Sequence, residues 1–230
     1  MSELVRDAAI VLRVTPYSET SLVLTVFAER HGKIGLMAKG ARRKVKNGTV
    51  LVPEPGYEME FVWAHKPARD LQIVREMSLL DAHFGIRSAL EPLVMASSCV
   101  ELVLRTQSDD DPHPEIFAAA SKLLRACELP NTARWPVFWK FHVVLLSQLG
   151  FALNGKIEDI QSPVKLTGES TAVLRKLIQS DFDVAARLRV SPTAEREITR
   201  WLFHYLSSNL HVTVPSRAVE ALRWARQTKS

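Results

Sequence analysis

The sequence predicts an α+β fold in which a small barrel of five strands is followed by a mainly α-helical domain. Six of the nine glycines fall within the first 85 residues, and none lies between positions 86 and 149. Up to about residue 80, apolar and polar residues alternate with period two, which is typical of strands with one buried face. Beyond residue 82 the apolar residues recur at helical spacing. We therefore expect a barrel domain over residues 1–81 and a helical domain over residues 82–230.

Five alternating runs predict the strands of the barrel, and they cover residues 8–14, 22–27, 33–39, 57–63 and 71–80. In the fourth run, Glu58 and Glu60 point away from the face on which the aromatic residues lie. Five short strands with a longer link between the third and the fourth favour a Greek-key barrel of the OB type, with an SH3-like barrel as the alternative.

The second part of the chain contains six predicted helices, over residues 86–106, 114–128, 133–149, 170–179, 192–209 and 216–228. Ser191 before Pro192 is a favourable helix start, because serine accepts hydrogen bonds from free amides and proline has no amide to satisfy. Gly150 is expected to end the third helix. Residues 150–168 have no regular pattern and are expected to form a loop.

The composition limits the class of protein. With 47% hydrophobic and 24% charged residues, the 230-residue chain is typical of a globular protein. No apolar run reaches the roughly 20 residues that a membrane-spanning helix needs. The acidic N-terminal residues argue against an export signal. Cys99 and Cys127 make neither a disulfide framework nor a four-ligand zinc site, and we expect a cytoplasmic protein, associated with the nucleoid.

Motifs typical of enzymes are absent from the sequence. It contains no phosphate-binding glycine loop, no paired metal-binding histidines and no nucleophile elbow. His142 and His204 lie among aromatic residues of predicted helices, which favours packing over catalysis. The acidic run at residues 109–111 is interpreted as a solvated turn. We expect no catalytic activity, no cofactor and no metal.

Positive charge is concentrated in one segment of the predicted barrel. Residues 30–46 contain seven basic residues and no acidic one. Nucleic-acid backbones attract such clusters through charge and counterion release. We predict a nucleic-acid interface formed by Lys33, Lys39, Arg42, Arg43, Lys44 and Lys46. Tyr17, which follows a proline, is the aromatic residue expected to stack on bases, and the alternative is a solvated loop without a ligand.

Short segments with characteristic order and spacing connect the chain with a known family. They are AIVLR at residues 9–13, YSET at 17–20, LTVF at 24–27, HGK at 31–33 and AKGAR at 38–42, followed by LGF at 149–151 and PSR at 215–217. Together they resemble the RecO family of bacterial recombination mediators, most strongly over residues 8–43.

The resemblance implies a nonenzymatic role in DNA repair. RecO proteins bind single- and double-stranded DNA, anneal complementary strands and act with RecR to load RecA onto DNA covered by single-strand-binding protein. Many members carry a four-cysteine zinc motif after the Leu-Gly-Phe segment, but residues 152–164 of this chain contain no cysteine. We therefore expect no zinc at that site, and packing should hold the segment instead.

The resemblance also implies that the helical domain binds the acidic, apolar C-terminal tail of single-strand-binding protein. Trp135 and Trp139 are four residues apart and share a helix face. Arg134 and Lys140 flank them, and Arg217 opens the last predicted helix. We predict that Arg134, Trp139, Lys140 and Arg217 bind the tail. The alternative is that both tryptophans are core residues and both charges are surface residues.

Two other functions are compatible with the sequence. The first is a protein-interaction scaffold that does not bind DNA directly, in which the basic segment is merely solvated. The second is a nuclease whose carboxylates come together only in the folded chain. Salt-dependent binding of an oligonucleotide argues against the scaffold, and intact DNA after incubation with magnesium or manganese argues against the nuclease.

Overall fold

In a computed structural model, residues 3–42, 52–67, 69–130, 132–153, 157, 160 and 162–210 are described. The strands are β1 (Glu3–Pro16), β2 (Leu22–Ala28), β3 (Gly32–Ala38), β4 (Glu58–His65) and β5 (Leu71–Asp81). A short 3-10 helix (Phe84–Ser88) precedes α1 (Leu90–Thr106), α2 (Pro114–Glu128), α3 (Arg134–Gln148), α4 (Gly168–Gln179), α5 (Phe182–Ala185) and α6 (Pro192–Leu210). The predicted α+β class is confirmed, and the helix predicted over residues 216–228 lies outside the described residues.

The five strands form a closed barrel in the order β1-β2-β3-β5-β4. Four neighbouring pairs are antiparallel, whereas β3 and β5 run parallel. Closure of β1 onto β4 together with the parallel β3–β5 pair is the OB arrangement, so the SH3-like alternative is wrong. The barrel is therefore the OB fold that the sequence predicted.

Alternating side chains of the strands fill the barrel. In β4 the inward side chains include Met59, Phe61 and Trp63, all of them buried as predicted. Glu58 differs from the expectation of a solvated outward position, because it is 5% exposed. The Glu58 Oε1 atom lies 3.2 Å from Nε2 of the buried His83. This pairing explains how a carboxylate is accommodated at a buried position of the sheet.

The buried Asp7 carboxylate ties β1 to the hairpin between β2 and β3. It accepts hydrogen bonds from the Arg30 backbone amide at 2.9 Å and from the Arg30 Nε atom at 3.2 Å. The His31 Nδ1 atom lies 2.7 Å from the same carboxylate, and the His31 ring packs edge-on against Trp63. Arg30 belongs to the basic segment of the sequence, but its backbone amide and its Nε atom both bind Asp7 and so stabilise the fold.

The described chain divides into two compact units. One contains the barrel, up to Phe84, together with Cys99–Ser121, and the other contains Gly85–Ser98 together with the described residues from Lys122 onwards. In the barrel unit, Phe27 of β2 packs against Phe117 of α2. The predicted boundary between the barrel domain and the helical domain, at residues 81 and 82, stays a prediction. The last strand of the barrel, β5, ends at Asp81.

The second unit is organised around α3, whose side chains are buried on nearly all sides from Pro136 to Leu146. A helix that is apolar all round belongs in a core, and α4, α5 and α6 pack against it. Gly150 ends this helix with a φ of +85°, and its amide bonds to Ser147 O, as a C-terminal glycine does. Ser191 caps α6 by accepting a hydrogen bond from Ala194 N at 3.2 Å.

Among the helices that the structure describes, none combines the length and the apolar character needed to cross a membrane.

Candidate nucleic-acid interface

The turn after β1 and the segment after β3 lie together at one end of the barrel. Pro16 pairs with Leu22, and Leu22 pairs with Ala38, so three strands begin or end side by side. The Arg42 backbone amide donates a 3.0 Å hydrogen bond to the Thr20 carbonyl oxygen. Two segments that are separate in the sequence therefore form one surface.

We call this surface, made of residues 17–21 and 39–42, the basic end. Lys39 and Arg42 are exposed there, and neither forms an ion pair with any residue that the structure describes. Gly40 between them has a φ of +73°, a conformation that strains other residues. The tight turn at Gly40 leaves both cations in solvent, where they can bind an anion.

Tyr17 is the aromatic residue of the basic end and is 68% exposed. The turn that carries it is fixed by hydrogen bonds from Tyr17 N to Ser21 O at 3.1 Å and from Ser21 N to Ser18 Oγ at 3.2 Å. Glu19, also exposed, is the acidic residue of this surface. An aromatic ring held in water by an ordered turn is suited to stacking on an unpaired base.

The outward face of β1, β2 and β3 continues from the basic end. Its cross-strand rows are Arg13–Thr25–Gly35 and Thr15–Val23–Met37, and neither row contains an acidic residue. The sequence prediction missed Arg13. A bulge between Val11 and Arg13 places this arginine outward. The five successive apolar residues 8–12 interrupt the alternation just before it.

Lys33 is placed differently from the other predicted DNA contacts, because its side chain has partners within the fold. Its Nζ atom donates a 2.6 Å hydrogen bond to Gln107 O and lies 3.2 Å from the Asp109 carboxylate. Lys33 is the second residue of β3, whereas Lys39 follows the other end of the strand, and the chain that follows α1 covers Lys33. The ammonium group satisfies carbonyl groups at the end of α1, so we leave Lys33 out of the interface.

Three further predicted contacts, Arg43, Lys44 and Lys46, lie outside the described residues. Their role stays a prediction.

Comparison with known proteins places the chain in a family. The family description Recombination protein O N terminal matches residues 1–83, and Recombination protein O C terminal matches residues 87–156. The chain belongs to the RecO family. Its barrel is the OB-fold domain of that family, and its relatives are DNA repair proteins.

The similar proteins named DNA repair protein RecO include one from Salinibacter ruber, which is 30% identical over 94% of this chain and 92% of its own length. One from Chloroherpeton thalassium is 33% identical over 65% of this chain. One from Vibrio parahaemolyticus is 35% identical over 63% of this chain. The chain spans 57% of the length of each of the last two proteins.

Two of the residues predicted to bind the tail are interior residues in this RecO chain. Trp139 is fully buried, and its Nε1 atom donates a 3.1 Å hydrogen bond to Thr199 Oγ1. The buried Lys140 donates from Nζ to Leu177 O at 2.8 Å. Burial lowers the Lys140 pKa, an effect that the charge of Asp181 opposes. Neither side chain offers a surface to a tail, because α3 is covered on nearly all sides.

The two remaining predicted tail contacts are Arg134 and Arg217. Arg134 begins α3, is partly exposed and donates from Nη2 to Leu129 O at 3.1 Å. No side chain caps this helix end, and its first turn contains no acidic residue. Arg217 lies outside the described residues.

The family zinc motif does not fit this chain. A tetrahedral zinc site takes its ligands from cysteine and histidine in most structural cases, and residues 152–164 contain neither. In the described part of that stretch, Leu153 and Ile157 are buried. Cys127, in α2, is also buried, and burial is the main cause that raises its pKa to about 12. Its thiol stays protonated and is a poor metal ligand.

Proposed function

We propose that the chain is a nonenzymatic mediator of DNA repair that binds single- and double-stranded DNA and anneals complementary strands. With RecR it helps to load RecA onto DNA coated by single-strand-binding protein. The observation that carries the DNA-binding step is the exposure of Lys39 and Arg42 beside Tyr17, on a surface fixed by the Arg42–Thr20 hydrogen bond. Membership of the RecO family supports the later steps.

The charges of the basic end support binding to the nucleic-acid backbone without sequence preference. Lys39, Arg42 and the outward Arg13 can each neutralise a phosphate, and the counterions that this releases favour binding. In OB folds, oligonucleotides bind on the face of strands two and three, which here carries no acidic residue in the rows next to the basic end. Arg43, Lys44 and Lys46 remain part of the proposal as further phosphate contacts.

Annealing requires no nucleotide cofactor. Pairing of two strands releases stacking free energy of about 1.4 kcal/mol per base-pair step. A protein that neutralises phosphates and presents unpaired bases therefore only has to bring the strands together. Stacking on Tyr17 suits this role, because a ring contributes about 1–3 kcal/mol per base without selecting its identity.

The proposed protein partners are RecR and the acidic tail of single-strand-binding protein. The helical unit remains the proposed site for the tail, with the partly exposed Arg134 and with Arg217 as the proposed contacts. The proposed place of action is the nucleoid in the cytoplasm, where the DNA lies.

Salt-dependent binding of a fluorescent single strand tests the DNA-binding step. The double variant Lys39→Ala/Arg42→Ala removes two phosphate contacts, so the plot of log affinity against log salt should become less steep by about 1.4. Arg187→Ala/Arg200→Ala removes two exposed arginines of the helical unit and is the matched control. An unchanged slope in the Lys39/Arg42 variant would place the interface elsewhere, and no binding by the unaltered protein would favour the scaffold.

Duplex formation from strands coated with single-strand-binding protein tests the annealing step. We expect Tyr17→Ala to anneal several-fold more slowly than the unaltered protein, and Tyr17→Phe, which keeps the ring, to retain the rate. Equal annealing rates in all three proteins would show that stacking on Tyr17 does not contribute to annealing. Labelled DNA incubated with magnesium should stay intact, and cleavage would support the nuclease instead.

A further inference from the structure

The second half of β5 has a neighbour on one side only. The parallel pairing with β3 ends where Ile73 lies opposite Met37, one residue before the end of β3. Residues 74–81 of β5 continue beyond that point and pair with β4 alone among the strands that the structure describes. We call these residues the free edge. On the side away from β4, no backbone hydrogen bond from the rest of the described chain reaches them.

The side chains of the free edge are exposed on both faces of the strand. From Arg75 to Leu80 only Met77 is half-buried, and Leu79 and Leu80, which point to opposite faces, are 36% and 54% exposed. Most side chains of β4, beside it, are buried. Exposed leucines on an unpaired strand edge favour the addition of another strand.

The sequence of the free edge is complementary to itself when two copies run antiparallel. With Ser78 opposite its own counterpart, Met77 faces Leu79 of the other copy, and Arg75 faces Asp81. A twofold axis then relates the copies, so both pairs occur twice. Apolar pairs and opposite charges that face each other across two strands stabilise strand pairing.

Both charges of this register are available for the pairing. Arg75 is exposed and forms no ion pair with any residue in the described ranges. Asp81 accepts a 2.9 Å hydrogen bond from His83 N through Oδ1, and 41% of its side chain is exposed. Glu76 would face an apolar residue, and its charge is already paired with Arg6 at 3.6 Å. The register therefore brings no like charges together.

We propose that the free edge pairs antiparallel with the free edge of a second copy of this chain, with Ser78 on the twofold axis. The charge complementarity of Arg75 and Asp81 identifies a second copy, rather than an unrelated peptide, as the occupant. Because one pairing uses both identical edges, no edge is left for a third copy, and assembly stops at the dimer.

The dimer gives the proposed annealing step a place for two strands. The basic end begins at Lys39, two residues after the last β3 residue that pairs with β5, so each copy carries a basic end beside the shared edge. One dimer can then hold two complementary strands. This consequence rests on the proposed function, whereas the pairing of the edges does not.

Cross-linking through a single introduced cysteine tests the register, because both native cysteines are buried. Ser78→Cys places two thiols across the axis, where Cα atoms of opposite residues lie about 4.5–5.5 Å apart, a distance that a disulfide spans. In the matched control Glu76→Cys, the two thiols are offset by four residues, about 13 Å. With a mild thiol oxidant, Ser78→Cys should form a covalent dimer and Glu76→Cys should not. Equal cross-linking of both, or of neither, would overturn the proposal.

Sedimentation of charge variants tests the complementarity. Arg75→Glu sets like charges opposite Asp81, and Asp81→Lys sets like charges opposite Arg75, so each variant alone should dimerise at least several-fold more weakly than the unaltered protein. An equimolar mixture of the two restores both pairs and should dimerise again. Arg187→Glu, an exposed charge reversal in the helical unit, should dimerise as the unaltered protein does. No recovery in a mixture of variants whose thermal melts show folded protein would overturn the proposal.

Annealing rates separate the dimer from DNA binding. Arg75→Glu keeps the basic end, so it should bind a single strand as Arg187→Glu does but anneal several-fold more slowly. An annealing rate equal to that of Arg187→Glu would show that the dimer does not serve annealing. If the unaltered protein binds no DNA, the proposed function fails, while cross-linking of Ser78→Cys still decides on the dimer.

Discussion

The Glu197 carboxylate of α6 accepts a 2.6 Å hydrogen bond from the Ser170 hydroxyl group in the first turn of α4. It also accepts a 2.9 Å hydrogen bond from the amide of Thr167, the N-cap residue of α4. In return, Glu169 of α4 accepts hydrogen bonds from the amide and the hydroxyl group of Ser191, at 3.0 and 2.7 Å. The two helices thus cap each other through reciprocal carboxylates.

These contacts predict a loss of stability in acid. The Ser170 hydroxyl group, followed by the Thr167 amide, lowers the pKa of Glu197 below its ordinary value of 4.5. Between 4.5 and the lowered pKa the unfolded chain binds more protons, so stability falls as the pH falls through that window. Glu197→Gln should melt at a lower temperature at pH 7, and its difference from the unaltered protein should shrink below about pH 4.5. Glu29→Gln, an exposed charge control, should show no such convergence.

A second effect of pH is expected from His142. The ring is fully buried, and its Nδ1 atom lies 2.6 Å from Phe138 O. Burial lowers the His142 pKa from 6.5 to about 4, an effect that the hydrogen bond to Phe138 opposes. Since only the unfolded chain takes up this proton between those values, about 3 kcal/mol of stability should be lost as the pH falls from 6.5 to 4.

The measurement is chemical unfolding as a function of pH. His142→Leu has no proton to take up in the unfolded state, so its stability should depend less on pH in this range than that of the unaltered protein. Parallel curves for the two proteins would show that His142 does not titrate in this way.

Substitutions at Lys140 distinguish a core role from a tail contact. Lys140→Glu would set a buried carboxylate against the Leu177 carbonyl group and should cost about 3 kcal/mol of stability. Lys140→Met keeps the length and removes the charge, so its stability should change by only about 1 kcal/mol. We expect Lys140→Met to bind a fluorescent tail peptide as the unaltered protein does. Weaker binding of the peptide by folded Lys140→Met would show that Lys140 contributes to tail binding.

Two lysines, one near the start of β3 and one just after its end, should behave in opposite ways. Lys33→Met removes the hydrogen bond to Gln107 O and should lower the melting temperature, while the salt slope of DNA binding stays unchanged. Lys39→Met should leave the melting temperature unchanged and make the slope less steep by about 0.7. If Lys33→Met also reduced the slope, Lys33 would belong to the interface after all.

The strands were predictable because their signal is local. Period-two alternation is visible within single runs, and the burial of Met59, Phe61 and Trp63 follows from it directly. The placement of Lys33 and Lys39 was not predictable in the same way. Lys33 lies near the start of β3 and Lys39 just after its end. They differ in the contacts that Lys33 makes with residues distant in the sequence, such as Gln107, 74 residues later.

The surroundings of α3 were not predictable for a related reason. The spacing of Trp135 and Trp139 places them on one face of the helix but leaves open whether that face binds a tail or belongs to the core. In the structure α3 is buried on nearly all sides, and even Lys140 donates a hydrogen bond to the buried carbonyl group of Leu177. The residues that cover α3 come from helices that follow it in the sequence, and a pattern within the helix cannot show them.

Closure of the barrel has a consequence for association between copies of the protein. An open sheet would present unpaired amide and carbonyl groups at its outer strands, and these invite other chains to add strands and aggregate. Here β1 pairs with both β2 and β4, so every strand of the barrel has two neighbours. The closed barrel is in this way protected from the strand addition that leads to fibres, also where copies of the protein come close together.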